Sequence, residues 1–192
     1  MKVTHPEGAA LRYWPGWLTQ EEQAWWWQWL EEIRWQQYRV RLFGRTLPQP
    51  RLSAWYGDSA YRYSGLQLPA TPWPEPLAQL RDRVCTATGY AFNSVLLNYY
   101  RSGSDSIGWH RDDEAELGAA PAVAAVSLGA CRRFLLRRLE DHRCREEWWL
   151  EPGSLLLMAP GLQSYWQHCL PKTRSRVGPR ISLTFRLIQP GR

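Results

Sequence analysis

Apolar positions follow two different periods along this chain. In QAWWWQWLEEIRWQ (23–36), Trp26, Trp29, Leu30 and Ile33 recur at the spacing of one helix face. Thr19, followed three residues later by Glu22, writes a capping box in front of them. The pattern predicts an α-helix whose aromatic stripe packs inward. A second helix is predicted to open at Pro76, bury Leu77, Leu80 and Val84, and stop near Gly89. From Ser94 onward the texture changes to short strands separated by turn residues. Strands are predicted at 94–100, 122–129, 132–138, 146–151, 154–159 and 180–188, with a strand or turn at 106–112. EPGS (151–154) turns the chain between two of them. Many short strands without helices between them specify a sandwich, barrel or jelly roll with the helices packed outside. No repeat or low-complexity linker divides the 192 residues, so one domain is expected.

The final strand alternates most sharply. Arg180, Ser182, Thr184 and Arg186 fall on one face, and Ile181, Leu183, Phe185 and Leu187 on the other, the core face. The arginine face either lies on a solvent-exposed edge or points into a barrel. In a barrel both guanidiniums need anions, because unpaired buried charge is prohibitive. A dicarboxylate ligand together with one carboxylate of the protein would satisfy them.

Composition narrows the setting. With 44% apolar and 22% charged residues the chain is an ordinary soluble globular one. No apolar run approaches the roughly 20 residues that a bilayer span needs, and no membrane partner or obligate protein partner is expected. The first residues lack a signal-peptide stretch, and Cys85, Cys131, Cys144 and Cys169 lie far apart. Both features predict a reducing compartment: a bacterial-type cytosol, or the nucleus of a eukaryote. The net charge is +6, and Lys2 and Lys172 are the only lysines among 24 basic residues. Arginine beside 13 tryptophans and 9 tyrosines suits a surface that grips phosphates and stacks on bases. A GC-rich genome produces the same arginine excess, so the bias permits nucleic-acid binding without establishing it.

The four histidines are His5, His110, His142 and His168. His110-Arg111-Asp112 is an H-x-D tripeptide, and in an extended chain its imidazole and carboxylate point to the same side. His168 could add a third ligand. Two histidines and one carboxylate on one face of a metal form the facial triad of non-haem Fe(II) oxygenases. His142, within EDHRCREE, reads as a solvated loop residue.

Several ordered motifs now carry a resemblance. NYYRSGSDSIGWHRDDE (98–114), SLGACRRF (127–134), GSLLLM (153–158), QHCLP around His168 and PRISLTFR (179–186) together resemble the AlkB family, in the branch of the second and third human homologues. These are Fe(II)- and 2-oxoglutarate-dependent dioxygenases that demethylate nucleic-acid bases. The match covers about residues 40–188 in order. It implies a mainly β fold with flanking helices (α+β) around a double-stranded β-helix, or jelly-roll, core. The core would span about 90–188, with the N-terminal helix and a nucleotide lid in about 1–75.

Carried over residue by residue, the resemblance implies His110, Asp112 and His168 as iron ligands. It implies Arg180 on the distal 2-oxoglutarate carboxylate and Arg186 near the metal and Asp112, with Asn98, Tyr100 and Thr184 as further cosubstrate contacts. Asp113 and Glu114 follow the ligand as in the family, the second lying near the target base. PRLSAWYGDSAYRYSG (50–65) resembles the lid, with Tyr61 and Tyr63 as its aromatics. Phe43 matches the finger that fills the gap left by a flipped base, at a fixed spacing from Arg51, itself a candidate substrate contact. Ser182 stands where many members carry Asn.

The implied activity is direct-reversal DNA repair of 1-methyladenine- or 3-methylcytosine-type lesions, consuming O2 and 2-oxoglutarate and releasing formaldehyde and succinate. Methylation at a Watson–Crick nitrogen leaves a cationic, mispaired base that is cheap to extrude. Walls of Tyr61, Tyr63 and His110 with Glu114 nearby would favour that cation. Two other readings stay open: a 2-oxoglutarate oxygenase acting on RNA or protein, and a nucleic-acid-binding module with a dead metal site. Phe43 and the lid tyrosines weigh against a protein substrate. The intact triad weighs against the dead site.

Overall fold

The protein's structure, a computed structural model, describes residues 1–4, 10–42, 44–63 and 66–189, with 41, 42, 62, 63 and 66 described by backbone alone. In chain order its elements are β1 (Lys2–Thr4), β2 (Leu11–Trp14), α1 (Gln20–Glu31), β3 (Arg39–Leu42), β4 (Arg45–Pro48), β5 (Leu52–Gly57), β6 (Tyr61–Tyr63), β7 (Leu66–Leu68) and α2 (Glu75–Thr88). There follow β8 (Ser94–Tyr100), β9 (Ile107–His110), a 3-10 turn (Ala115–Leu117), β10 (Val123–Gly129), β11 (Arg132–Arg138), β12 (Arg145–Leu150), β13 (Leu155–Met158), α3 (Leu162–Tyr165), β14 (Trp166–Leu170) and β15 (Arg180–Arg186).

Two antiparallel sheets hold the core. The larger runs β1-β2-β13-β10-β15-β8-β5 and the smaller β12-β11-β14-β9. β3 with β4, and β6 with β7, form separate two-stranded hairpins. Side chains from both large and small sheets, among them Tyr13, Val123, Leu156, Phe134, Leu136 and Leu150, pack together between them. On the other face of the large sheet, Trp26 and Leu30 of α1 and Leu77, Leu80 and Val84 of α2 cover Leu97, Val126, Leu183 and Phe185. Leu97, Leu183 and Phe185 are fully enclosed, and each contributes about 2–3 kcal/mol of apolar burial. This is the mainly β, α-flanked jelly-roll arrangement that the motifs imply.

α1 starts as its cap dictates. The Thr19 hydroxyl accepts the Glu22 N–H, and the Glu22 carboxylate accepts the Thr19 N–H, so the capping box is complete. α1 nevertheless ends at Glu31, leaving Ile33 beyond it, and only Trp26 and Leu30 are fully buried from its face. α2 ends on Gly89, whose φ of 78° gives the left-handed cap.

Three expectations need correction. β14, which carries His168, and the strands upstream of Ser94 were not predicted; WQHCL and LSAWYG show little alternation because they are largely buried on both faces. Ser94 is therefore not where β-structure begins. The last strand stops at Arg186, so Leu187 is exposed, and Ile188 is buried in its place.

β15 lies between β10 and β8, in register Gly129 opposite Arg180 and Arg186 opposite Ser94. Gly129 closes β10 with φ +78°, and a Cβ there would sit 2.4 Å from the Pro179 carbonyl oxygen and 2.6 Å from the Trp27 ring. That backbone oxygen cannot swing aside as a side chain would, because it also accepts the Ala130 N–H at 2.8 Å. Gly129→Ala should therefore destabilise the fold by about 2 kcal/mol or more. Thermal denaturation should show a midpoint drop of roughly 4–8 °C for a chain of this size. An unchanged midpoint would mean that the turn relaxes without cost.

Candidate active site

β15 sends its polar face into the space between the sheets. Arg180, Ser182, Thr184 and Arg186 are all buried there, at 1%, 7%, 9% and 3% exposure. Of the two placements open to this face, the interior is the one found. Arg180, Ser182, Thr184 and Arg186 share a cavity with Asn98, Tyr100, His110, Asp112 and His168, whose remaining wall is apolar, including Phe134, Leu156 and Met158.

The three candidate ligands meet at the end of the small sheet. β9 pairs with β14 with His110 opposite His168, so the sheet register itself juxtaposes the imidazoles. Their ring centroids are 4.2 Å apart. Asp112 lies past the end of β9 rather than within an extended strand, yet it reaches the same point. One donor atom from each residue falls within 4.8 Å of the others. His110 Nδ1 lies 2.9 Å from the Gly108 carbonyl oxygen; donating a proton there would leave Nε2 as the ligand atom.

The charges in this cluster are arranged for a cation. Arg186 donates through Nη2 and Nε to Asp112 Oδ1, at 2.6 and 3.2 Å. Asp112 Oδ2 and His168 Nδ1 are buried and make no hydrogen bond to any described residue. Desolvation is the strongest influence on Asp112 and would raise its pKa, but Arg186 and the two histidines outweigh it and hold the carboxyl down at about 2. Desolvation lowers His168 to about 3, helped by His110 and Arg186 against Asp112. His110 is lowered too, again chiefly by desolvation. An ionised carboxylate and two neutral imidazoles are the protonation states that a divalent cation requires. The donor set and its orphaned oxygen therefore fit Fe(II).

Arg180 completes the site by what it lacks. It is 1% exposed, donates from Nη2 to Ser127 Oγ at 2.9 Å, and its Nε has no partner among the described residues. No carboxylate among the described residues lies within ion-pair distance of it. Burial lowers its pKa to about 10, with Tyr100 opposing and Arg132 adding to the shift. The Tyr100 ring is near both cations, its centroid 5.5 Å from the Arg180 guanidinium and 6.0 Å from that of Arg132. A buried cation facing a cavity beside a metal triad fits a ligand carboxylate such as that of 2-oxoglutarate.

The other candidates take varied places. Asn98 lines the cavity, but its Oδ1 already accepts from Arg51 Nε at 2.9 Å and Ser53 Oγ at 3.0 Å. A ligand would therefore meet its NH2. Arg51 is 5% exposed and stands behind Asn98, also donating to the Ser106 carbonyl. Tyr61 is fully enclosed, stacked on Trp55 at 5.0 Å between centroids, with its hydroxyl interacting with Glu114. Glu114 is half-buried and its pKa is raised, first by desolvation. Asp113 is exposed and ion-paired with Arg111. His142 is exposed, away from the triad. Phe43 and His5 lie outside the described residues, and Tyr63 is described by backbone alone.

Sequence reasoning missed two supports. Ser127, the partner of Arg180, is the one polar residue in the buried run VAAVSL, which is a signal that could have been read. Gln163, whose Oε1 accepts the Asp112 N–H at 3.1 Å, carries no such signal in PGLQSY.

Comparison with known proteins agrees with this geometry. The profile of the 2OG-Fe(II) oxygenase superfamily matches residues 10–186. The DNA oxidative demethylase ALKBH2 of Mus musculus is 44% identical over 161 residues, covering 79% of this chain and 67% of its own. The human ALKBH2 is 42% identical over 160 residues, covering 78% and 61%. The human alpha-ketoglutarate-dependent dioxygenase alkB homolog 3 is 37% identical over 186 residues, covering 92% and 65%. The chain thus spans 61–67% of the length of these curated relatives. A solved structure of OsALKBH1 matches with a TM-score of 0.68 at 17% identity, over 97% of this chain and 100% of that one, a likeness of fold. The chain belongs to the 2OG-Fe(II) oxygenase superfamily and, within it, to the AlkB family.

Proposed function

We propose that this protein is an Fe(II)- and 2-oxoglutarate-dependent oxidative demethylase of N-methylated bases in DNA, of the 1-methyladenine and 3-methylcytosine type. It acts as one catalytic domain over 1–192, in the compartment that holds DNA. The observation that carries the reading is on β15: Arg186 is neutralised by Asp112 of the triad, while Arg180 is buried with no carboxylate beside it among the described residues. Relatives named as DNA oxidative demethylases supply the substrate class.

Held by His110, Asp112 and His168, Fe(II) supplies O2 activation coupled to 2-oxoglutarate decarboxylation and oxidation of the N-methyl carbon. The chain's own residues bind, orient and protect. Arg180 takes one cosubstrate carboxylate, its fork steadied by Ser127 and Tyr100. Arg186 locks one Asp112 oxygen, leaving the other for the metal. Phe134, Leu156 and Met158 keep water from the far wall of the cavity. Glu114, close to the triad with a raised pKa, is drawn toward its ionised form by a cationic methylated base. The hydroxymethylated base then loses formaldehyde and is restored. Among the described residues no helix is long and apolar enough to cross a membrane.

The direct test incubates the purified protein with Fe(II), 2-oxoglutarate and an oligonucleotide carrying one methylated base. Mass spectrometry should show loss of one methylene and release of one succinate per event. Succinate without loss of mass from DNA, or loss from the matched RNA alone, overturns the substrate assignment.

Arg180→Ala should raise the 2-oxoglutarate concentration needed for half-maximal turnover on the order of 100-fold, since two charge-assisted hydrogen bonds vanish. Arg180→Lys should recover part of this, because a point charge replaces the fork. An unchanged requirement in both variants removes Arg180 from the cosubstrate.

Phe43 is assigned as the wedge that occupies the space of an extruded base. Phe43→Ala should cut activity on methylated duplex while sparing the same lesion in a single strand, with little change in folded stability. Equal losses on both substrates would mark Phe43 as structural.

A further inference from the structure

Two of the three triad residues are held by the β-ladder, and the third is not. His110 and His168 face each other in the register of β9 and β14. Asp112 lies beyond β9 in irregular chain, although its side chain is entirely buried. Its backbone N–H donates to Gln163 Oε1 at 3.1 Å. Gln163 is 2% exposed and sits on α3, the single turn that leads directly into β14 and His168.

The orientation of this carboxamide follows from chemistry. A backbone N–H can only donate, so the oxygen must face Asp112 and the NH2 must face the other way. There it meets Met158 Sδ at 3.6 Å, a weak acceptor on the cavity wall. The strong bond of Gln163 is therefore the one to Asp112. Its own carbonyl oxygen accepts from Arg111 Nη1 at 3.5 Å, so the residue preceding Asp112 is tethered to the same turn. Without the side chain, a buried backbone donor would be left unpaired, at a cost of about 1–3 kcal/mol that the loop could escape by moving.

We infer that Gln163 is a positioning residue of the metal centre: it ties the backbone of Asp112 to the segment that delivers His168, and thereby sets metal affinity. The bond joins residues 51 apart in sequence and substitutes for the ladder that β9 no longer provides. Supports of this kind around metal ligands are worth 10–100-fold in affinity. The inference rests on the metal-dependent reading above.

The test measures Co(II) binding to metal-free protein by calorimetry, alongside hydrogen exchange at the Asp112 amide and the melting temperature of the metal-free form. Gln163→Met keeps the volume and removes the acceptor; Gln163→Glu keeps an acceptor. The expected result is a Co(II) dissociation constant raised tenfold or more in Gln163→Met, with faster exchange at Asp112 and a nearly unchanged melting temperature. Gln163→Glu should restore both affinity and protection. Affinity within twofold of wild type in Gln163→Met overturns the inference, as does a loss that Gln163→Glu fails to restore. If the variants do not fold, a wild-type Asp112 amide exchanging as fast as that of exposed Asp113 overturns it as well. Failure of the wild-type protein to bind Co(II) would instead strike the metal-dependent reading.

Discussion

The ion pair between Arg186 and Asp112 is the constraint on which the site depends. Both groups are buried, and they meet at 2.6 Å. Taking two charges from water costs several kcal/mol each, so the pair does not justify itself as a stabilising feature. Its value is geometric. β15 is fixed between β8 and β10 by full ladders, whereas Asp112 stands in irregular chain beyond β9. The guanidinium joins the large sheet to the open end of the small one, and it does so through a single carboxylate oxygen. The other oxygen is left facing His168 Nε2 at 3.7 Å. A bidentate pair would have satisfied both oxygens and closed the site.

Arg180 uses the opposite arrangement six residues earlier. It is as deeply buried, but serine and tyrosine surround it where Arg186 has a carboxylate. Well-packed apolar side chains at these positions would make a more stable core. The sequence spends core volume on Arg180, Ser182 and Thr184 because a strand in the middle of a sheet positions groups more rigidly than a loop does. The apolar face of the same strand, Ile181, Leu183 and Phe185, is packed beneath the two helices and carries its share of the stability.

How legible this was depended on whether neighbouring positions differ in environment. β15 could be read because one face is polar and the other apolar. His110 and Asp112 could be read because metal chemistry restricts residue types. Strand β14 could not, since Trp166, His168, Cys169 and Leu170 are all buried and alternation vanishes when both faces are covered. β5 was hidden for the same reason, and the resemblance treats its segment as part of a lid. In the fold it is one edge strand of the large sheet, with Arg51 just ahead of it and turned toward Asn98. Leu187 shows the limit in the other direction: the alternating pattern runs one residue past the end of its strand. Gln163 was unreadable because its role depends on a contact between segments far apart in sequence.

Burial has a further consequence for the triad. A metal usually displaces protons from its ligands, and the cost of removing them lowers its affinity at neutral pH. Here the surroundings of the site favour the deprotonated ligands. Desolvation drives both imidazoles toward neutrality, because a buried cation is penalised. The same desolvation would raise the Asp112 pKa, yet Arg186, with the two histidines, outweighs it and holds the carboxyl down. One environment thus acts in opposite directions on the two ligand types, and the buried arginine supplies the difference. All three groups are thereby biased toward their ligand forms. The favourable energy of coordination is then available for binding rather than for proton release, and the guanidinium on β15 makes that possible without itself approaching the metal position as a ligand.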